Sequence, residues 1–392
     1  MVYRKFRADY LFTGTDLLDS HFVLVTDSEG YIQDVVNQSQ VSEDIETLKG
    51  ILSPGFINTH CHIELSHLQN KIPEKTGLTD FVYKVVTERH LDEEKIVEAI
   101  EKAIEAMYKN GIAAVGDICN NTLAISSKKN SSLLYYNYIE VSGWNPAIAN
   151  ERFEGSKLIY DQYLANGYKA SIVPHAPYSV SAPLWEKITP YFSGKIVTIH
   201  NQETLAEEEF FLKGKGDLLS MYENMRIDNS FFKAPGVSSI QSFFKHLSAA
   251  NSVILVHNTF IKQDDIDFIN EHKPLRQTLS FCLCPNANKY IEDAFPPVLM
   301  LMKNNAHIVI GTDSLASNHE LSILEELKTI SKNCPCIKTE NLLKWATLNG
   351  AMALQMNKTL GSFGKGKKPG IVLIENNNED KLTPQSKARR IL

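Results

Sequence analysis

Short apolar runs alternate with longer segments of helical periodicity along most of this chain. Between two of these runs, the segment "DEEKIVEAIEKAIEAMYKNG" repeats apolar residues such as Ile96, Ile100 and Ile104 at helical spacing, with Gly111 at the position of a C-terminal cap. The apolar runs predict strands at 55–62, 112–118, 134–141, 169–175, 195–200, 252–257, 278–284 and 307–313. Eight repeats of strand and helix predict an α/β fold, a (β/α)8 TIM barrel over residues 54–357.

The two ends of the chain have a different sequence pattern from the middle. Residues 1–53 contain short extended patches separated by polar turns such as "DSEG", a pattern typical of a small β unit. In residues 358–392, "LGSFGKGKKPGIVLIENN" predicts two turns and a strand. We expect 1–53 and 358–392 to form one small β-sandwich domain. The lysines of the glycine-rich turn suit a solvated loop better than a phosphate cradle, because no helix follows to supply N-terminal amides.

Composition narrows the class of protein. Hydrophobic residues are 43%, charged residues 22% and the net charge is −6, a balance typical of globular proteins that disfavours a nucleic-acid binder. No apolar run approaches the roughly 20 residues that span a bilayer, and the start lacks a secretory signal, so we expect a cytoplasmic protein without membrane contact.

Six cysteines fit a reducing compartment. The pairs Cys282/Cys284 and Cys334/Cys336 would together offer four thiolates to a metal, but their spacing differs from the usual Cys-x2-Cys, and buried thiols are the simpler interpretation.

Histidines and an aspartate gather where the predicted strands end. Side chains alternate faces along a strand, so His60 and His62 point the same way and reach one point in the barrel mouth. His200 ends the fifth predicted strand, and Asp313 ends the eighth. A single such histidine would usually be a hydrogen-bonded interior imidazole. Convergence at several strand ends instead predicts a metal site for zinc or iron.

Three further residues stand beside this set. Glu203 follows His200 by three positions and would project over the same mouth, although an acid at a helix N-terminus is its plainer interpretation. His175 ends the fourth predicted strand, and His257 ends the sixth. His257 would either bind the metal or orient a water molecule.

The segments "PGFINTHCHIE", "PHAPYSVS", "IHNQET", "LVHNT", "LCPNAN" and "IGTDSLASN" together resemble the amidohydrolase superfamily. The likeness covers nearly the whole chain and is closest to the mononuclear aminohydrolases, which include adenosine-type, guanine and cytosine deaminases and triazine chlorohydrolases. The resemblance implies that His60, His62, His200 and Asp313 hold one divalent metal, with Zn²⁺ preferred and Fe²⁺ the alternative. His175 ends a strand that carries a carbamylated lysine in two-metal relatives, which favours one metal.

The resemblance also implies a hydrolytic deamination of a small-molecule substrate. A bound metal lowers the pKa of its water toward about 7, and the resulting hydroxide adds to an amidine-like ring carbon. Glu203 would protonate the ring nitrogen, His257 would hydrogen-bond the attacking water, and Asp313 would serve as ligand and base while ammonia leaves.

The substrate is suggested by likeness alone. "PHAPYSVS" resembles deaminases of adenosine-containing thioethers, which would place His175 beside the nucleoside. "VVTERHLDEEK" places Glu88 where those enzymes bind the ribose hydroxyls, although Glu88 and Arg89 also suit a solvated helix face. The stretch 62–90 is more similar to 6-amino-6-deoxyfutalosine deaminases of menaquinone synthesis, whose benzoate-bearing substrate would need a cation such as Arg89.

Other activities stay open at this stage. The same kind of site hydrolyses guanine-, cytosine- or triazine-type heterocycles, amides, carbamates and carbon–halogen bonds; an acid at a ring nitrogen disfavours amides without excluding dechlorination. A non-enzymatic metal-binding or scaffold protein would lack a catalytic group, and none is missing. Related barrels often form homodimers, but no sequence feature marks an interface.

Overall fold

A computed structural model describes residues 3–41 and 44–392. The strands are β1 (Tyr3–Arg7), β2 (Tyr10–Phe12), β3 (Leu17–Asp19), β4 (Phe22–Asp27), β5 (Ile32–Asn37), β6 (Ile45–Thr47), β7 (Ile51–Pro54), β8 (Phe56–Cys61), β9 (Ile112–Cys119), β10 (Leu134–Val141), β11 (Ala170–Pro174), β12 (Ile196–Asn201), β13 (Ser252–His257), β14 (Thr278–Leu283), β15 (Ile308–Ile310), β16 (Ile371–Glu375) and β17 (Lys387–Arg390). The helices are α1 (Leu78–Glu88), α2 (Glu93–Lys109), α3 (Ala124–Lys129), α4 (Ala149–Ala165), α5 (Ala182–Ile188), α6 (Leu205–Lys213), α7 (Asp217–Asn224), α8 (Ser239–Phe243), α9 (Gln263–His272), α10 (Pro285–Glu292), α11 (Val298–Lys303), α12 (Ile323–Asn333), α13 (Thr339–Lys344) and α14 (Gly350–Ala353).

Strands β8 to β15 form the barrel. They lie in two four-stranded parallel sheets, ordered β11-β10-β9-β8 and β12-β13-β14-β15. Backbone hydrogen bonds join the sheets at both seams: the His200 N–H donates to the His175 carbonyl at 2.9 Å, and the Thr312 N–H donates to the His60 carbonyl at 3.0 Å. The predicted (β/α)8 architecture is therefore confirmed.

The barrel strands are recognisable in the sequence because both of their faces are buried. Every residue of β8, β9, β12 and β13 is buried, and parallel strands covered on both faces become nearly continuous apolar runs. Polar residues in such strands are therefore exceptions that need a partner or a function.

Both ends of the chain contribute to one β unit outside the barrel. One sheet has the order β5-β4-β1-β6, and the other has the order β17-β16-β7-β2-β3. Strand β16 pairs antiparallel with β7, with Ile374 opposite Ile51. Apolar residues of both sheets, such as Phe6, Leu52 and Leu373, form one buried cluster. The exact limits 1–53, 358–392 and 54–357 stay predictions.

No hydrophobic pattern predicted β17, whose residues are mostly charged. Arg390 of β17 explains its place, because its guanidinium lies 4.2 Å from the centre of the Tyr108 ring. The same guanidinium donates hydrogen bonds to the carbonyls of Tyr108 at 3.0 Å and Ile112 at 2.5 Å. This contact ties the terminal β unit to the end of α2 and the start of β9.

Cys61, Cys119, Cys282, Cys284 and Cys334 are buried as expected, but Cys336 is exposed, which corrects the prediction for that residue. Within 3–41 and 44–392, no cysteine belongs to a cluster with metal-binding geometry. No helix in the described part of the chain is long and apolar enough to cross a membrane.

Candidate metal and active site

Three imidazoles and one carboxylate converge at the carboxyl end of the barrel. The Nε2 atom of His62 lies 3.2 Å from Nε2 of His60 and 3.3 Å from Nε2 of His200. The Asp313 Oδ1 atom lies 3.3 Å from the His62 Nε2 and 3.5 Å from the His60 Nε2. All four side chains are buried. Zinc-to-nitrogen distances of about 2.0–2.1 Å imply ligand separations of roughly 3.3 Å in a tetrahedral site, so these spacings fit one metal ion.

The protonation states also suit a metal. Burial lowers the pKa of His62 to about 3 and the pKa of His200 well below its usual value, so both rings are neutral at pH 7. Burial alone would raise the pKa of Asp313, but its hydrogen bond to His60 and the nearby imidazoles hold that pKa well below the usual range. Neutral imidazoles and an ionised carboxylate are the forms that bind divalent metals.

Neighbouring groups fix which ring nitrogen faces the site. The His200 Nδ1 lies 2.8 Å from the His175 carbonyl oxygen and must donate to it, which leaves Nε2 as the lone-pair atom. The His257 Nδ1 lies 2.8 Å from the Asn288 Oδ1, which likewise leaves the His257 Nε2 to accept. Donor atoms of His60, His200, His257 and Asp313 all lie within 4.8 Å of one another. Together with His62, these side chains make five potential ligands around one point.

The backbone is strained where these side chains leave the strands. His257, Asn258, Asp313 and Gln202 have φ values of +71°, +54°, +56° and +46°. Residues other than glycine rarely adopt this left-handed conformation, and such strain concentrates at functional sites. The Asn258 side chain helps to hold this geometry, because its Nδ2 donates to the Leu255 carbonyl at 2.8 Å.

Glu203 lines the same cavity and lies beside His257. It is buried, and its Oε1 is 3.4 Å from the His257 Nε2. Burial, reinforced by the charge of Asp313, raises the pKa of Glu203 well above its usual value. Glu203 is thus in the form that can donate a proton at neutral pH.

A second buried acid holds the turn that carries Glu203. The Glu207 Oε1 accepts hydrogen bonds from the Gln202 N–H at 3.1 Å and from the Ser239 hydroxyl. The Gln202 side chain in turn donates to Asp265 at 2.8 Å. These contacts stabilise the left-handed Gln202 immediately before Glu203.

A cavity of about 840 Å³ opens above these groups. His62, His200, Glu203, His257 and Asp313 line its deep end. Its outer wall is largely apolar, with contributions from α1, α7 and Trp144, and also contains three arginines, Arg89, Arg152 and Arg226. The size and lining are typical of a small-molecule site.

The three residues expected to contact substrate differ in their placement. His175 lines the cavity, and its Nδ1 is 2.8 Å from the Ser179 hydroxyl. Arg89 also lines the cavity, but its Nη2 forms an ion pair with Glu64 at 2.7 Å. Glu88 is exposed and is not among the cavity-lining residues. A substrate contact by Glu88 stays a prediction without support from this geometry.

No sequence motif pointed to Glu140, Arg152 or Arg226 as site residues. Glu140 is the penultimate residue of β10, and it lines the cavity with only 8% of its surface exposed. The available signal was a carboxylate near the end of the otherwise uncharged run "LLYYNYIEV". The arginines stand on exposed positions of α4 and after α7, where sequence offers no way to separate them from solvated charges.

Comparisons with known proteins agree with this geometry. The family model described as Amidohydrolase family matches residues 51–391. The chain is 26% identical over 372 residues to the 5-methylthioadenosine/S-adenosylhomocysteine deaminase of Thermoanaerobacter pseudethanolicus, covering 89% of this chain and 79% of that protein. It is 28% identical over 293 residues to the aminodeoxyfutalosine deaminase of Nitratiruptor sp., covering 71% and 67% respectively.

The fold is also shared with a solved structure. Helicobacter pylori aminofutalosine deaminase, in complex with methylthio-coformycin, matches with a TM-score of 0.81 at 20% identity. The match covers 99% of this chain and 100% of that one. The whole architecture, including the β unit built from both chain ends, is therefore common to the two proteins.

Proposed function

This chain belongs to the amidohydrolase family, and from that premise we propose that it is a metal-dependent deaminase that hydrolyses the C–N bond at the amino-bearing carbon of an adenine-nucleoside-like substrate. The observation that carries the proposal is the convergence of His60, His62, His200 and Asp313, with donor-atom distances of 3.2–3.5 Å, beside the buried carboxyl group of Glu203. The names of the deaminases that it resembles at 26% and 28% identity support the reaction and the substrate class.

We assign the metal to His60, His62, His200 and Asp313. Their donor atoms have the spacing of one tetrahedral set, whereas the His257 Nε2 lies 3.4 Å from Glu203 and so borders the reacting groups. Three nitrogen donors and one carboxylate favour zinc among the common divalent metals, with iron the alternative. A metal bound there would lower the pKa of a water molecule toward about 7 and so supply the nucleophile.

The remaining steps belong to the protein's own side chains. His257 accepts a hydrogen bond from the attacking water through its unprotonated Nε2, and Glu203 gives its proton to the ring nitrogen beside the attacked carbon. The Asp313 carboxylate takes the proton that the water releases. The Ser317 hydroxyl, which donates to the Asp313 Oδ2 at 2.5 Å, holds that carboxylate in place. Return of this proton to the amino group lets ammonia leave, and the ionised Glu203 takes the proton of the added hydroxyl, so that the carbonyl forms and Glu203 regains its proton.

The outer cavity favours a substrate with an anionic substituent. Arg152 and Arg226 line it, and neither forms any of the ion pairs found within 3–41 and 44–392. The Arg89 guanidinium is already paired with Glu64 at 2.7 Å, so these two arginines are better candidates than Arg89 for a carboxylate. We therefore propose 6-amino-6-deoxyfutalosine, which would place the protein in menaquinone synthesis, or S-adenosylhomocysteine, ahead of 5′-methylthioadenosine.

Ammonia release by the zinc-loaded protein tests the proposal with these three nucleosides and adenosine. We expect turnover that a chelator abolishes and added zinc restores. Arg152→Ala and Arg226→Ala should raise KM for the two carboxylate-bearing substrates and leave KM for 5′-methylthioadenosine unchanged. Absence of ammonia from every nucleoside would refute the deaminase proposal, whereas equal KM changes for all substrates would refute only the anionic substituent.

A further inference from the structure

A fully buried acid lies on the inner side of helix α12, outside the substrate cavity. Glu326 has none of its surface exposed and is not among the residues that line the cavity. The other buried residues of this helix, such as Leu327 and Ile330, are apolar. Burying an acid is costly unless hydrogen-bond donors satisfy it, so this position needs an explanation. No step of the proposed mechanism uses Glu326.

The two oxygens of Glu326 accept hydrogen bonds from segments that follow two neighbouring barrel strands. Its Oε1 accepts from the Asn318 Nδ2 at 2.7 Å, in the loop after β15. Its Oε2 accepts from the Asn286 N–H at 2.9 Å, in the first turn of α10 after β14. One rigid carboxyl group thus joins the two segments, and neither can shift without weakening its contact with Glu326.

The contact with Asn318 leads to Asp313. The same Asn318 Nδ2 donates to the Thr312 carbonyl at 2.9 Å. At the other end of this peptide group, the Asp313 N–H donates to the His60 carbonyl at 3.2 Å. The φ of +56° at Asp313 is a strained conformation that persists only where its surroundings enforce it. By orienting the Asn318 amide, Glu326 supports the conformation in which the Asp313 carboxylate faces the other proposed metal ligands.

The contact with Asn286 leads to His257. Helix α10 has no side-chain cap at Cys284, and the first N–H groups of a helix lack partners within it. Glu326 supplies the partner for the N–H of Asn286. Two residues further along α10, the Asn288 Oδ1 lies 2.8 Å from the His257 Nδ1. The placement of the first turn of α10 therefore determines where the Asn288 amide meets the His257 ring.

We propose that Glu326 is a positioning residue that holds Asp313 and His257 in register with each other. This inference rests on the proposed deaminase function, in which both groups must contact the same attacking water from different strands. Glu326 itself cannot touch the substrate, because it lies outside the cavity. Its loss should therefore affect the metal ligand and the reaction step, and not the binding of substrate in the ground state.

Replacement by methionine removes both acceptors and keeps the length of the side chain. At saturating zinc, Glu326→Met should lower kcat roughly 10- to 100-fold, the usual effect of losing a partner behind a metal ligand, while KM stays within about twofold of wild type. Zinc affinity, determined by competition with a chelator, should fall by a similar factor. Glu326→Gln keeps one acceptor and should give intermediate losses, so it serves the same comparison if Glu326→Met does not fold.

The preceding residue provides a matched control. Glu325 lies on the same helix but is partly exposed and pairs with Lys328 at 2.6 Å. Glu325→Met should leave kcat, KM and zinc affinity at wild-type values. Equal effects of Glu325→Met and Glu326→Met would overturn the inference, because they would show a general response of α12 to the loss of an acid.

A double-variant cycle separates positioning from simple support of the fold. Asn318→Ala removes only the link toward Asp313, so zinc affinity in Glu326→Met/Asn318→Ala should be little lower than in the weaker-binding single variant. Additive losses would overturn the inference. A lower free energy of unfolding in Glu326→Met, with zinc affinity and kcat unchanged, would do so as well. Absence of turnover by wild type with every nucleoside would refute the deaminase function, whereas the zinc measurements would still decide whether Glu326 positions Asp313.

Discussion

Replacing Lys128 with methionine should strongly destabilise the folded protein. The Lys128 Nζ is 2.5 Å from the Asp117 Oδ2, and the two side chains are 0% and 1% exposed. The same ammonium donates to the Asn137 Oδ1 at 2.6 Å. Removing the cation leaves the Asp117 charge buried and uncompensated, and loss of one partner of a buried pair typically costs about 3–5 kcal/mol. We expect a loss of that size in the free energy of unfolding.

The surface of the same protein offers a closely matched control. Lys157 and Asp161 form an ion pair whose Nζ to Oδ2 distance is also 2.5 Å, but their side chains are 28% and 52% exposed. An exposed pair of this kind is worth about 0.3–0.5 kcal/mol. Lys157→Met should therefore cost far less than Lys128→Met, although the two ion pairs have the same length.

Denaturant unfolding, followed by circular dichroism, measures both variants and a double variant. The double substitution Asp117→Asn/Lys128→Met should lower the free energy of unfolding by less than the summed losses of the two single substitutions. The difference, the coupling energy of the pair, should be about 1–3 kcal/mol. The Asp117 Oδ1 also accepts the N–H of Ile63, the residue after the proposed ligand His62, at 2.9 Å. Zinc affinity should therefore fall in Lys128→Met as well. Equal costs for Lys128→Met and Lys157→Met would refute the reasoning from burial.

Three further predictions concern the site itself. Glu203→Gln should retain the metal while turnover falls roughly 10²- to 10⁴-fold, the usual contribution of a general acid; metal analysis and ammonia release test this, and unchanged turnover would remove Glu203 from the mechanism. Burial raises the pKa of Glu207 from 4.5 to about 7 in the folded protein, so its contribution to stability is complete below pH 4.5 and is lost as the pH rises through 7. Unfolding free energies between pH 5 and 8 should therefore fall less steeply in Glu207→Gln than in wild type, and identical slopes would contradict the shift. In Gly311→Ala the new methyl would lie 2.9 Å from the His60 Cβ and should lower zinc affinity, whereas Gly155→Ala on α4 meets nothing within 4 Å and should leave that affinity unchanged.

The barrel strands and the metal site could be predicted from the sequence for one physical reason. Strands buried on both faces are apolar, so the polar residues that interrupt or end them stand out, and alternation along the strand assigns His60 and His62 to one face. Topology then brings the strand ends together without any need to know individual contacts.

The remaining features depend on contacts that no local pattern records. The pairing of Arg89 with Glu64 joins residues 25 positions apart and changes which cations are available to a substrate. The local sequence around Glu140 does not show whether its carboxylate faces a cavity or a hydrogen-bond partner within the protein. Strand β17 has no apolar run that would predict it. The position of this strand depends on a tertiary contact, in which the Arg390 guanidinium packs against the Tyr108 ring.

The antiparallel pairing of β7 with β16 also affects how the protein is made. During translation β7 emerges early, but the strand that hydrogen-bonds to its edge leaves the ribosome only after the entire barrel. Until then the nascent chain exposes an unpaired edge, and such edges promote aggregation. Slow translation or a shortage of chaperones should therefore lower the yield of active protein before it alters the activity of the molecules that do mature.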